Sequence, residues 1–394
     1  MALVDIPSTS STLATRTTTS FSRTTTKTST PAISLSPEEF KAYINDPRFN
    51  RTFQLPADPS RGRPKPFQIS YSDFGFHRED AGDDDSEEQV LLFFGPLTSS
   101  RFFNIAKDGL AKRYKVRVVN AERPGIGKTD SVPAERLLEV WRDAIPALLA
   151  HLRIKHVSLA CHSGGTVFGL DFAVHHPHLL LPSRPYIAIA GPWVHSSQSG
   201  KLLWSLASSL PRSLIAQTGT LATFVNSTLG PALGVSAAVS GGVAQLWPQA
   251  KKSTGREGAD VAFEEGVRER VAERVFAGGV RGLGQETQVL LRNGVEKDGW
   301  SDWGDFDVLA PRLAEAVREV GGADRLKVDV FFAESDIMIG DAGKKGNRWF
   351  EACWRDVDGV EFASETVKGS DHDGVWDLRW DVMEKVFKTM TGEA

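Results

Sequence analysis

The sequence predicts an α/β protein: a mostly parallel, eight-stranded sheet with helices on both faces and a mainly helical insertion late in the chain. Two observations carry this. Short apolar runs rich in β-branched and aromatic residues alternate with helical patterns between residues 89 and 190, and the strand pattern resumes from 327 to 366. Between Pro192 and Ala323 the rhythm breaks, no buried strand is evident, and helix-compatible segments dominate.

Taken in order, residues 1–36 are dominated by Ser and Thr, with Arg16, Arg23 and Lys27 and a single acid, Asp5. Such a composition buries too little apolar surface to offset its ordering entropy, so it reads as a disordered tail. Its basic, acid-poor character also suits a mitochondrial transit segment. The two readings lead to a cytoplasmic or a mitochondrial protein, intracellular in either case.

A helix is expected from Ser36, where Ser36, Pro37, Glu38 and Glu39 supply an N-cap, a proline at the first helical position and acids in the first turn. Strands are expected at 51–55, 66–71, 89–94, 115–120, 156–160, 186–190, 327–332 and 360–366, with helices at 135–152 and 166–175. The acidic run 83–88 reads as a solvated loop. A core of 37–191 and 324–394 is therefore expected, with 192–323 as a helical cap.

Composition narrows the function. A formal net charge of −4 over 394 residues gives no basic excess for nucleic acid. Two cysteines, Cys161 and Cys353, make no disulfide framework and no paired-cysteine metal site. The least charged stretch, 213–250, is interrupted by Gly230, Pro231, Gly241 and Gly242, so no membrane span is expected. No metal and no cofactor are implied. Gly125, Gly127, Lys128 and Thr129 resemble the end of a phosphate-binding loop, but Glu122 stands where that motif needs glycine.

The most informative stretch is 156–166. An apolar strand runs into Cys161, His162, Ser163, Gly164 and Gly165, then into a helix carrying Val167, Phe168 and Leu170. This is a nucleophile-elbow pattern with Cys161 in place of its first glycine. Small neighbours are needed because the turn is sharp. Ser163 is the candidate nucleophile, the Gly164 N–H a candidate oxyanion donor, and His162 a candidate pocket residue.

A serine elbow expects its acid and then its base later in the chain. Asp336 follows the strand at 327–332 and is the acid chosen by position, with Glu334 and Asp341 as alternatives. His372 is the one histidine after Asp336 and is the candidate base. His175, His176 and His178 cluster at a helix end, a setting without the carboxylate or cysteine spacing of zinc.

With these residues in hand, the chain resembles the α/β-hydrolase superfamily from about Phe53 to Phe387, and looks closest to capped fungal-type hydrolases. The stretches 91–101, 118–127 and 161–165 carry the likeness. Relatives have a His-Gly loop after the first of these strands, where this chain has Phe94, Gly95 and Pro96. Proline has no N–H, so the resemblance implies either a lost oxyanion donor or a loop shifted by one residue, with the Leu97 N–H in its place. Glu122 replaces the usual Asp before Arg123, Pro124 and Gly125.

The resemblance implies a serine hydrolase acting on a small to medium hydrophobic ester, thioester or similar acyl compound. The insertion's aromatic residues, Trp204 among them, form either an apolar lid or the cap's own core. Pro96 and Trp300 are further candidate substrate contacts, Trp300 at the rim where the cap returns to the core. Glu264 and Glu265 are acids that could meet a substrate amine, or surface acids. Dehalogenase and epoxide-opening chemistry is disfavoured, because those relatives carry Asp at the nucleophile position. Lyase or carbon–carbon hydrolase chemistry would use the same three residues. A ligand-binding protein that has lost turnover is the rival from another class, with Pro96 as its support.

Overall fold

Each central strand is hydrophobic on both sides, because each is covered on both sides. In β3 (Gln89–Phe94), Val90, Leu92 and Phe94 enter one core cluster while Leu91 and Phe93 enter the other. In β6 (Tyr186–Pro192), Ile187 and Ile189 face the first cluster, and Tyr186, Ala188 and Ala190 the second. Such continuous apolar runs are the mark of a parallel sheet between helical layers. The computed structural model describes residues 35–78, 88–97, 99–199, 255–278, 281–292, 304–323, 325–336, 338–340 and 345–393.

The remaining strands are β1 (Arg51–Leu55), β2 (Phe67–Gly75), β4 (Val116–Ala121), β5 (Ser158–Ser163), β7 (Leu326–Ser335) and β8 (Val360–Asp371). All eight form one sheet in the order β1-β2-β4-β3-β5-β6-β7-β8. β1 and β2 pair antiparallel, as do β2 and β4, and every other pairing is parallel. The eight-stranded, mostly parallel sheet is the one the sequence predicts. β8 lies at an edge and is only partly buried, which explains its Glu361, Ser364, Glu365 and Lys368.

The first helical layer holds α3 (Leu137–His151), α4 (Gly165–His175), α7 (Phe306–Glu319) and α8 (Asn347–Trp354), whose buried side chains join the first cluster. The second holds α1 (Pro37–Ile44), α2 (Asp108–Arg113) and α9 (Val382–Thr391), which join the second. α1 begins as its sequence requires: the Glu39 N–H donates to Ser36 Oγ at 3.2 Å and the Ser36 N–H to Glu39 Oε2 at 2.8 Å.

Between β6 and β7 the described helices are α5 (Ala259–Gly278), α6 (Leu283–Leu290) and α7. α7 lies inside the interval 192–323 yet packs Phe306, Leu309 and Leu313 into the first core cluster. α5 packs Val261, Val267, Val271 and Val275 into the second. The N-terminal 1–34, the acidic run up to Glu87, Trp204, Trp300 and Asp341 lie outside the described residues. Among the described residues no helix is long and apolar enough to cross a membrane.

Candidate active site

β5 ends at Ser163 and α4 begins at Gly165, so strand becomes helix across one residue. Ser163 takes a φ of 50°, a left-handed conformation that costs an L-residue on the order of 1–2 kcal/mol. The turn tolerates no bulk. A Cβ on Gly165 would overlap the Phe94 carbonyl at the end of β3. Cys161 takes the place of glycine because Gly169, one turn into α4, leaves room for its buried Sγ, which a Cβ at 169 would strike.

Asp336 follows the end of β7, and His372 follows the end of β8. His372 Nδ1 lies 2.8 Å from Asp336 Oδ2, and His372 Nε2 lies 2.9 Å from Ser163 Oγ. Asp336 Oδ1 accepts from the N–H groups of Met338 at 2.8 Å and Ile339 at 3.0 Å. The carboxylate is thus fixed by its own turn before it meets the imidazole. Glu334 is instead engaged with β8, where its Oε2 accepts from the Gly369 N–H at 2.8 Å. The structure therefore brings Ser163, Asp336 and His372 together in a buried line.

The charges follow from that line. Burial disfavours the His372 imidazolium, but Asp336, with Asp373 and Asp371 nearby, outweighs it and raises the pKa above the ordinary imidazole value. Burial pushes the Asp336 pKa up, while His372 and the two N–H donors pull it down further, so it ends below the ordinary carboxylate value. The carboxylate on Nδ1 leaves Nε2 as the nitrogen that can take a proton from Ser163.

His162 is fully buried beside them, its ring centroid 5.6 Å from that of His372. Its Nε2–H donates to the His372 backbone carbonyl at 2.8 Å. Burial, then the neighbouring His372 charge, depress its pKa to about 3, so it stays neutral. The sequence offered His162 as a pocket residue; its ring nitrogen is turned instead to the backbone of the base's loop.

Gly164 and Leu97 meet across the nucleophile turn. The Leu97 backbone nitrogen lies 3.4 Å from the place a Cβ on Gly164 would occupy, and Leu290 Cδ1 of α6 lies 2.8 Å from it. Among the described residues neither N–H donates to a backbone carbonyl. Pro96 turns its carbonyl away, to Arg123 Nη2 and to the Ser99 N–H at 2.9 Å.

Two buried charged groups near this site, Arg123 and Glu286, were not assigned a role from sequence, and a third, Glu264, was weighed as a substrate partner or a surface acid. Arg123 and Glu286 form an ion pair, both at most 1% exposed. Glu264 is buried, pairing with Lys107 Nζ at 2.5 Å and accepting from the Leu378 N–H at 2.7 Å. It is thus neither a surface acid nor a free substrate partner, and Glu265 pairs with Arg379. Their partners lie over a hundred residues away, so no local pattern marks them. His175 and His176 are turned to the carbonyls of Asp171 and Arg142. Among the described residues no group of three or more His, Cys, Asp or Glu side chains is placed to hold a metal ion.

No family model matches the chain, and no curated protein matches it. Solved structures do. A hydrolase from Pseudomonas aeruginosa aligns with a TM-score of 0.52 at 13% identity, covering 87% of this chain and 98% of that one. A thermophilic esterase from Thermogutta terrifontis gives 0.51 at 12% identity, covering 87% and 97%. A haloalkane dehalogenase from Agrobacterium tumefaciens gives 0.50 at 14% identity, covering 88% and 97%. At such identities the likeness speaks for the fold and not for the reaction. Sheet order, strand-to-helix elbow and structural neighbours agree: the chain has the α/β-hydrolase fold.

Proposed function

We propose that the chain is a serine hydrolase that cleaves an acyl bond, an ester or thioester, of a small to medium hydrophobic substrate through an acyl-Ser163 intermediate. One observation carries this: the continuous hydrogen-bonded line from Ser163 Oγ through the His372 ring to Asp336. A buried histidine and carboxylate are costly to assemble unless paired, and this pair is aimed at a strained serine.

In this reading Ser163 Oγ adds to the substrate carbonyl carbon as its proton passes to His372 Nε2. Asp336 holds the imidazole in the tautomer with Nδ1–H and stabilises the imidazolium. The oxyanion takes hydrogen bonds from the N–H groups of Gly164 and Leu97. Collapse expels the alcohol or thiol, which leaves with the Nε2 proton. Water, deprotonated by His372, then attacks the acyl carbon and releases the acid and Ser163. The nearness of the Leu97 nitrogen to Gly164 supports the shifted loop and answers the lack of an N–H at Pro96.

The methyl groups of Leu290 beside Gly164 favour an apolar acyl group. We assign the cap role to the part of the 192–323 insertion that carries α5 and α6, with α7 belonging to the sheet's own cover.

Labelling with a fluorophosphonate probe, located by peptide mass spectrometry, tests the reading. Rapid modification of Ser163, lost in His372→Ala, is the expected result. Folded wild-type protein that leaves Ser163 unmodified would favour a ligand-binding protein and end the proposal.

A further inference from the structure

The Pro96–Leu97 peptide is held from behind. Arg123 Nη1 donates to the Gly95 carbonyl at 2.8 Å, and Nη2 donates to the Pro96 carbonyl. One planar guanidinium thus grips two successive carbonyls of the same loop. Among the described residues no peptide bond is cis, and in a planar trans peptide the carbonyl and the N–H point in opposite directions. A Pro96 carbonyl directed at Arg123 therefore sends the N–H of the same unit, that of Leu97, away from Arg123, and the Leu97 nitrogen lies 3.4 Å from the place a Cβ on Gly164 would occupy.

Arg123 is itself constrained by two further side chains, Phe168 and Glu286. Its Cζ lies 4.7 Å from the centroid of Phe168, on the helix that follows Ser163. Its Nε donates to Glu286 Oε1 at 2.8 Å, and Nη2 donates to the same oxygen. Glu286 belongs to α6, in the insertion, and is fully buried. The start of α6 is tied to the Arg123 turn, since the Gly282 N–H donates to the Gly125 carbonyl at 2.9 Å. The end of α6 carries Leu290, whose methyls lie against Gly164. A single helix of the insertion thus spans both donors of the proposed oxyanion hole.

We propose that Arg123 is a positioning residue that orients the Leu97 N–H as an oxyanion donor, and that Glu286 fixes Arg123 for this role. The inference rests on the serine-hydrolase reading above and adds a route by which the insertion sets the chemistry. Arg123 touches no reacting atom. Its guanidinium is required for its fork: a lysine ammonium keeps the charge but cannot grip two carbonyls and a carboxylate in one plane. Ser99 also donates to the Pro96 carbonyl, but Ser99 travels with the loop, whereas Arg123 anchors the loop to another element.

The test is the fluorophosphonate reaction of the full chain, resolved into kinact and KI for wild type, Arg123→Lys and Glu286→Gln. Phosphonylation develops charge on the same oxygen position, so a misaligned donor slows kinact. The expected loss in Arg123→Lys is about 10- to 100-fold, short of the roughly 100- to 1,000-fold seen when an oxyanion donor is removed outright. KI and the pH midpoint of kinact stay near the wild-type values, because His372 and Asp336 are untouched. Glu286→Gln shows a smaller loss in the same direction, and it decides the matter if Arg123→Lys does not fold. Wild-type kinact in both folded variants, or a loss carried by KI, overturns the role given to Arg123. Wild-type protein that takes no probe at Ser163 overturns the hydrolase reading itself.

Discussion

His162 donates its Nε2–H to the backbone carbonyl of His372 at 2.8 Å. The residue before the candidate nucleophile thus braces the loop of the candidate base, although the two are far apart in sequence. His162→Phe keeps an aromatic ring but removes the donor. We expect a stability loss of about 1–3 kcal/mol by urea denaturation, the cost of a buried carbonyl without its partner. Probe labelling of Ser163 should slow in parallel. Unchanged stability and labelling would show that the bond does not hold the loop.

The Asp336–His372 pair sets the pH dependence. With the His372 pKa raised, labelling of Ser163 should climb with pH through a midpoint above that of a free imidazole, about 6.5. Asp336→Asn removes the main raising influence, so the midpoint should fall, and labelling at neutral pH should drop by on the order of 10⁴-fold.

The same pair contributes stability with a defined window. The His372 contribution is fully present below the ordinary imidazole value and fades as pH rises through the raised one. The Asp336 contribution is present above the ordinary carboxylate value and fades as pH falls through its lowered one. The stability margin of wild type over Asp336→Asn should therefore be widest between roughly pH 4 and 6.5. Urea titrations across pH read this directly, and a flat difference would contradict the pairing.

Ser163 at a φ of 50° predicts an ordering of two inactive variants. Ser163→Gly and Ser163→Ala both lose the hydroxyl, but only glycine enters the left-handed region without strain. The glycine variant should be the more stable by about 1 kcal/mol. Equal stabilities would mean that the turn relaxes when the hydroxyl is gone.

Glu264 ties α5 to two other segments, to Lys107 just ahead of α2 and to the Leu378 N–H in the stretch after His372. Glu264→Leu leaves the Lys107 ammonium buried and unpaired, which should cost about 3–5 kcal/mol. Adding Lys107→Met should recover part of that loss, because no charge then remains without its partner. Strictly additive losses in this cycle would show that the two groups do not interact.

The sequence alone determined the features that depend on near neighbours. Strand runs such as 89–94 and 186–190, the capping box at Ser36 and Glu39, and the small residues around Ser163 each follow from local sterics or periodicity. These were enough to define the eight-stranded α/β sheet and to put Ser163 on a strand-to-helix turn. They were not enough to separate Asp336 from Glu334, two carboxylates two residues apart. The end of β7 decides that: Asp336 meets His372, whereas Glu334 meets the Gly369 N–H.

Tertiary structure alone brought Arg123 to Glu286, Lys107 to Glu264 and His162 to the carbonyl of His372. It also placed the Leu97 nitrogen beside Gly164, which an open choice between two loop registers could not do from sequence. The physical reason is range. Backbone propensity and side-chain periodicity act over a few residues, whereas a buried charge takes whatever partner the folded chain delivers, and no local pattern records that partner.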